Sequence, residues 1–296
     1  MKAIVCTKYG SPDVLQLQEV AKPSPKDDEV LIKIHAASTN SRDWRLMRAH
    51  PFFIRLAPGG FLKPQNKILG ADVAGRVEAI GSGVKQLKPG DDVFGYLPSA
   101  TGRGTFAEYV CASENAITLK PANLTFEQAA AVPVAAMTAL QALRDRGNTQ
   151  PGQKVLINGA SGGVGAFAVQ IAKAFGAEVA SVCSTKNLDM VRSIGADHVI
   201  DYKKENFTRN GQHYELILAV NGYHPISDYL RALSPDGIYV VAGGSMFQLF
   251  QAALQGRRTS KTGNRKTYVV SLVQNQKDLV FMKELLGTGK VIPVID

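Results

Sequence analysis

Cysteine is scarce in this chain of 296 residues: there are three, Cys6, Cys111 and Cys183, far apart in sequence. That argues against a disulfide framework and a cysteine-rich zinc site. It fits a reducing compartment, so a cytoplasmic location is expected. No apolar run is long enough to cross a bilayer, and the opening MKAIVCTKYG lacks the apolar stretch of a secretory signal. No membrane partner is expected. Repeats and low-complexity tracts are missing. No Ser/His/Asp set and no paired carboxylates stand out, so nothing points to nucleophilic or glycosidase-like catalysis.

Acidic residues are the minority, 25 against 34 Lys and Arg, for a net charge of +9. Such a chain attracts nucleic acid, anionic surfaces or a polyanionic cofactor. The densest basic stretch, residues 257–266 (RRTSKTGNRK), has no interleaved aromatics. It is expected to be a solvated loop near the cofactor, and no nucleic-acid partner is expected. Hydrophobic content of 45% suits a globular protein, and the length suits about two domains.

What the chain does contain is organised around residues 154–180, KVLINGASGGVGAFAVQIAKAFGAEVA. Val155-Leu156-Ile157 reads as a buried strand. A glycine-dense turn, 159–165, follows. Val164, Ala168, Ile171 and Phe175 then recur at helical spacing, Gly176 stops the helix, and 178–183 begins a second strand. This is a strand–turn–helix–strand unit of the dinucleotide-binding type. The helix N-terminus presents unpaired N–H groups and a positive dipole end to a pyrophosphate. Gly162 has no side chain to hold that group away, and Gly165 lets the helix pack closely. The fingerprint reads Ala160-x-Gly162-x-x-Gly165, with alanine at the first position. The other reading is a glycine turn that only packs helix on sheet. At the end of the second strand stands Ser184-Thr185-Lys186 rather than a carboxylate. Two hydroxyls and an ammonium suit a 2′-phosphate, so NADPH is expected over NADH. Ser184 and Thr185 can also cap the next helix.

Residues 1 to about 120 read as mostly strand, with segments at 2–6, 15–20, 29–36, 73–80, 93–95 and 106–110. Thr125 and Gln128 form a capping box, Pro133 interrupts, and 135–143 resumes as an apolar helix. Strands at 198–202, 215–220 and 237–242 alternate with helices, one of them around 225–233, which implies a parallel sheet with right-handed crossovers. A strand at 268–273 and a helix at 277–286 close the chain.

Several motifs together are more specific than the glycine turn. They are Ala36-Ala-Ser-Thr-Asn40 with Ser41-Arg-Asp43-Trp44, Leu69-Gly-Ala-Asp-Val-Ala-Gly75, Lys88-Pro-Gly-Asp91, Gly104-Thr-Phe-Ala-Glu-Tyr-Val110, Ala135-Ala-Met-Thr138-Ala139 and Gly195-Ala-Asp-His-Val-Ile-Asp-Tyr202. With them the chain resembles the zinc-free quinone oxidoreductase and enone (alkenal) reductase branch of the medium-chain dehydrogenase/reductase superfamily, over almost its whole length. The resemblance implies an α/β architecture: a GroES-like β-rich catalytic domain (1–122), a Rossmann-type doubly wound parallel sheet that binds NADPH (123–266), and a return segment (267–296) shorter than is usual. Zinc-dependent relatives use a Gly-His-Glu motif where this chain has Gly70-Ala71-Asp72. Ala71 cannot ligate a metal and no Cys lies between Cys6 and Cys111, so no metal is expected. The implied activity is hydride transfer from NADPH to quinones or α,β-unsaturated carbonyls, whose anionic products hydrogen bonds can stabilise.

By carry-over, Asn40 is the expected donor near the nicotinamide and substrate, and Thr138 faces the nicotinamide. Trp44 lines the substrate pocket, and Asp43 makes a structural hydrogen bond. Expected cofactor contacts are Ser161, Gly162, Gly163, Val164, Ser184, Thr185, Lys186, Tyr202, Gly243 and Asn275. Plain structural roles compete at each: a strand-end amide for Asn40, a helix hydroxyl for Thr138, a core ring for Trp44, a surface ring for Tyr202. Homodimerisation is implied by the family alone. The competing functional reading is a catalytically weak NADPH-binding protein that acts through partners.

Overall fold

The computed structural model describes residues 1–55, 60–65, 67–97, 103–221, 224–244, 248–249, 251–252, 254 and 264–295, without the side chain of Phe53. Most of the basic stretch 257–266 lies outside the described residues. The chain forms two compact units. One holds Met1–Val134, Gln274–Gly287 and Ile295, and the other holds Ala135–Val273 and Thr288–Val294.

In the first unit β1 (Lys2–Cys6) and β2 (Leu15–Glu19) form an antiparallel pair. Beside it lies a five-stranded antiparallel sheet of β3 (Glu29–Ala36), β4 (Asp72–Ile80), β5 (Asp92–Tyr96), β6 (Tyr109–Ser113) and β7 (Ile117–Leu119), in the order β6-β3-β4-β5-β7. Its core is branched and aliphatic: Val30, Ile32, Val73, Val77, Val93, Val110 and Ile117. Such side chains pack well on a pleated surface. Between β3 and β4 runs α1 (Ser41–Arg48). It begins where the carboxylate of Asp43 accepts the backbone N–H of Asn40 at 2.7 Å, and it ends at Ala49 in the left-handed region, φ 47°.

The expected capping box is present at α2 (Phe126–Ala130). Gln128 N donates to the Thr125 hydroxyl at 3.2 Å, and Thr125 N donates to Gln128 Oε1 at 2.9 Å. Pro133, expected to interrupt, is the first residue of α3 (Pro133–Leu140), where a missing N–H breaks no intrahelical bond. The expected strand at 106–110 starts later, at Tyr109. Residues 106–108 pair with the β1 backbone instead, through Ile4 N to Phe106 O and Glu108 N to Lys2 O.

The second unit is built on six parallel strands: β8 (Lys154–Asn158), β9 (Glu178–Cys183), β10 (His198–Asp201), β11 (Tyr214–Ala219), β12 (Leu233–Val241) and β13 (Lys266–Val269). Their order is β10-β9-β8-β11-β12-β13. The chain moves outward from β8 to β10, then crosses back to place β11 on the other side of β8. This is the doubly wound arrangement, and its switch point lies between β8 and β11. The helices α4 (Gly163–Ala174), α5 (Leu188–Ser193) and α6 (Ile226–Arg231) belong to the connections. Tyr229 and Tyr239 stack inside the core at 4.9 Å. The last strand covers 266–269 rather than 268–273, because its ladder partner β12 stops at Val241. The helix α7 (Gln276–Gly287) is counted with the first unit, where Gln276 Nε2 donates to the carbonyls of Glu114 and Ile117.

Candidate functional site

At the C-terminal ends of β8, β9 and β11 the second unit opens into a cavity of about 630 Å³. Ligands of open α/β sheets bind in this position. Three glycines shape its floor, each in a different way. Gly159 holds φ +92°, which an L side chain rarely adopts. A Cβ on Gly165 would lie 2.1 Å from the carbonyl oxygen of Gly159, so its bareness lets α4 press onto the turn. A Cβ on Gly162 would meet nothing nearer than 3.6 Å, and Gly162 lines the cavity. Gly162 is also the N-cap of α4, with no side chain to cap the helix and no acid in the first turn. The first-turn N–H groups and the helix dipole thus face a space that a backbone phosphate can enter. A pyrophosphate fits this cradle.

The rest of the lining includes Ser161, Ser184, Tyr202, Asn221 and His224, and among the described residues it contains no Lys, Arg, Asp or Glu. Asn158 is fixed from behind, its Nδ2 donating to Tyr229 Oη at 2.6 Å. Thr185 is turned away, its hydroxyl donating to Asp201 Oδ2 at 2.6 Å, and Lys186 is exposed on the single turn that follows. Asp201 is a carboxylate one strand over from the end of β9. The Thr185 hydroxyl holds its pKa below the usual range, and Lys203 N bonds its other oxygen at 3.0 Å. Tyr202 is exposed and lines the cavity beside Ser184. Gly243 stands just after β12, where a Cβ would be 2.2 Å from Val220 O, so close packing alone demands a glycine there.

In the first unit, Asn40 belongs to a buried polar cluster around Asp72. Asp72 is 0% exposed on β4. Its Oδ2 accepts from the Ser38 hydroxyl at 2.6 Å and from Asn40 Nδ2 at 2.9 Å, and its Oδ1 accepts from Val134 N at 2.9 Å. Burial raises its pKa to about 7, against the lowering effect of those three donors, and nearby Asp43 adds to the rise. An ionised carboxylate only accepts, so this contact fixes the orientation of the Asn40 amide. Nδ2 also lies within 3.4 Å of Ser38 Oγ, and the side chain accepts from the backbone N–H of Asp43 in the capping box of α1. Asp43 has the structural role expected of it. It bonds Asn40 N and Gly70 N, and burial pushes its carboxyl up.

Thr138 is buried on α3. Trp44 is half exposed and stacks on His50 at 6.2 Å. Asn275 precedes α7 and accepts from Lys277 N at 2.9 Å, a capping contact. Ser161, Gly162, Ser184 and Tyr202 come together around the cavity, which Gly163 and Val164 adjoin at the start of α4. Asn40, Trp44 and Asn275 belong to the other unit. Asp72, Asp201 and His224 were missed as site residues. A sequence signal existed for Asp72, a lone acid opening the otherwise apolar run Asp72-Val-Ala-Gly75.

Residues 26–122 match the family model of the alcohol dehydrogenase GroES-like domain, and 163–285 match that of the zinc-binding dehydrogenases. The chain is 43% identical to a chloroplastic quinone-oxidoreductase homolog from Spinacia oleracea, over 80% of this chain and 73% of that protein. It is 38% identical to the chloroplastic NADPH-dependent alkenal/one oxidoreductase of Arabidopsis thaliana, over 100% of this chain and 72% of that protein. Among solved structures, the quinone oxidoreductase from Coxiella burnetii superposes with a TM-score of 0.86 at 28% identity, covering 100% of this chain and 90% of that one. The curated relatives correct the expectation of a cytoplasmic location. Both are chloroplastic, so few cysteines and a reducing environment do not single out the cytoplasm. They also favour the enzyme over the non-catalytic binding protein. The chain is an oxidoreductase, and it belongs to the quinone oxidoreductase branch of the medium-chain dehydrogenase/reductase superfamily.

Proposed function

We propose that this protein reduces quinones or α,β-unsaturated carbonyls with NADPH, without a metal. The observation that carries the reading is the open cradle at Gly162, set at the C-terminal ends of the parallel strands. In this reading the backbone of Ser161, Gly162, Gly163 and Val164 holds the pyrophosphate, with Gly243 and Asn275 as further cofactor contacts. Ser184 and Tyr202 bind the 2′-phosphate, with Lys186 reaching in from the rim. Thr185, its proton committed to Asp201, has only its lone pairs to offer and contributes little. That no described residue of the cavity lining is a carboxylate favours the phosphorylated cofactor, while Asp201 is engaged by Thr185 and Lys203.

NADPH, when bound, would supply a hydride to the β-carbon of an enone or to a quinone, with the balancing proton taken from solvent. Trp44 lines the substrate site, Thr138 orients the reacting partners, and Asn40 contacts the oxygen where charge develops. Asp72 is a positioning residue. Ionised, it holds Asn40 Nδ2. Protonated, it releases that N–H for the substrate oxygen. A zinc-independent route follows from Ala71 at the position of the histidine ligand of zinc-dependent relatives. A homodimer is part of the reading, and light scattering of the purified chain checks it.

Reduction of a short alkenal with NADPH deuterated at the nicotinamide C4 tests the chemistry. Deuterium is expected at the β-carbon of the product. Deuterium at the carbonyl carbon would make the protein an alcohol-forming dehydrogenase instead, and no incorporation would reject hydride transfer.

A further inference from the structure

One face of the first unit is used by neither the cradle nor the Asp72 cluster. It carries large apolar side chains in the open. Phe52 and Phe61 are each 61% exposed, and Leu62 is 84% exposed. A run of contacts links them. Arg55 lies over both Phe52, at 5.2 Å, and Tyr9, at 4.8 Å. The Tyr9 hydroxyl donates to the carbonyl of Gly60 at 2.7 Å, which anchors the chain directly before Phe61 and Leu62.

The stretch of chain that carries this face is mostly cationic. Residues 42–67 hold six cations, Arg42, Arg45, Arg48, Arg55, Lys63 and Lys67, and one acid, Asp43. That acid is buried and bonded inward to Asn40 and Gly70, so it does not screen the surface. This segment alone supplies +5 of the chain's net +9. The Nε of Arg55 is buried with no hydrogen-bond partner among the described residues. Exposed rings and leucine interleaved with cations are what a polyanionic surface with an apolar layer beneath it attracts.

We propose that this face docks on an anionic lipid bilayer, with Phe61 and Leu62 entering the interface and Arg48, Arg55 and Lys63 meeting headgroup phosphates. Such docking needs no long apolar run, which is why the composition gave no sign of it. Single-stranded nucleic acid fits less well. Leu62, the most exposed side chain of the face, offers no plane on which a base can stack, whereas acyl chains accommodate it. Docking would bring the enzyme to acceptors that dissolve in membranes.

The test is co-sedimentation of the full chain with vesicles of phosphatidylcholine alone, and with vesicles of equal parts phosphatidylcholine and phosphatidylglycerol. Binding is expected only with the anionic lipid, and near-molar salt should abolish it. The double variant Phe61→Ser, Leu62→Ser should bind at least about tenfold more weakly. Arg48→Glu with Lys63→Glu should not bind at all. Both variants should reduce a soluble short alkenal as the wild type does, since none of these residues lies in the cradle or the Asp72 cluster. The proposal fails if the wild type binds both vesicle types equally or neither, or if the variants sediment like the wild type. It also fails if the variants lose turnover on the soluble alkenal, which would make the face a substrate mouth, or if a single-stranded oligonucleotide displaces the protein from vesicles at stoichiometric amounts. Sedimentation is read without turnover, so a negative result leaves the reductase reading untouched.

Discussion

The two polar sites of this molecule are built on opposite plans. The cradle at α4 is made by leaving side chains out, and its elements follow one another within a few residues of chain. The Asp72 cluster is made by bringing side chains together, and its partners stand 32, 34 and 62 residues apart. The first presents backbone N–H groups whose chemistry pH does not change. The second rests on one buried carboxyl whose pKa burial raises to about 7. The two sites thus have separate sensitivities, and substitutions can separate them.

The glycines give the largest expected effects. Gly165→Val forces a Cβ against the Gly159 carbonyl, where the built position lies only 2.1 Å away, and should destabilise the fold by about 3 kcal/mol or more, seen as a lower Tm. Gly162→Val has room for its Cβ within the fold, so it should leave Tm nearly unchanged while weakening NADPH and NADH binding at least about a hundredfold by fluorescence titration. If both variants lose stability alike, the cradle is a packing device.

Asp72 comes next. Its pKa is about 7 in the folded chain against an ordinary 3.8, so the folded chain holds this proton more tightly than the unfolded one. The group's contribution to stability is complete below pH 3.8 and is lost as pH rises through about 7, roughly 4 kcal/mol across that window. Asp72→Asn does not titrate, and its amide can donate to the Asn40 carbonyl. The stability of wild type minus variant should therefore fall with rising pH over this range and be flat above it. Turnover should fall above about pH 7 in the wild type and stay level in the variant. A stability difference that rises with pH would mean that the carboxylate is favoured in the fold, and the switch would be lost.

The rim of the cavity should give smaller, cofactor-selective effects. Ser184→Ala with Tyr202→Phe should weaken NADPH about tenfold and leave NADH alone. Lys186→Ala, at an exposed side chain, should cost about threefold for NADPH, and less at high salt. Equal losses for both cofactors would remove the 2′-phosphate from this rim.

Much of the fold was legible in the sequence because its signals are local. Val155-Leu156-Ile157, the glycine turn and the Thr125–Gln128 box each announce themselves within a few residues. The shifts came where a partner strand decides. Residues 106–108 bond β1 and meet β3 only at Glu108, and β13 ends with its neighbour β12. The candidate site divides the same way. Gly162 and Ser184 could be read in place, and the motifs supplied Asn40. The orientation of its amide depends on Asp72 and Ser38, and the engagement of Thr185 depends on Asp201 across a strand pairing. Those relations exist only after folding.

The most direct measurement is NADPH oxidation by the purified chain and its Gly162→Val variant, with a short alkenal and an ortho-quinone as acceptors and NADH as the control. Turnover of at least one acceptor by the wild type, with NADPH preferred and activity lost in the variant, is the predicted result. Saturable NADPH binding with neither acceptor reduced, or turnover undiminished in the variant, would contradict it.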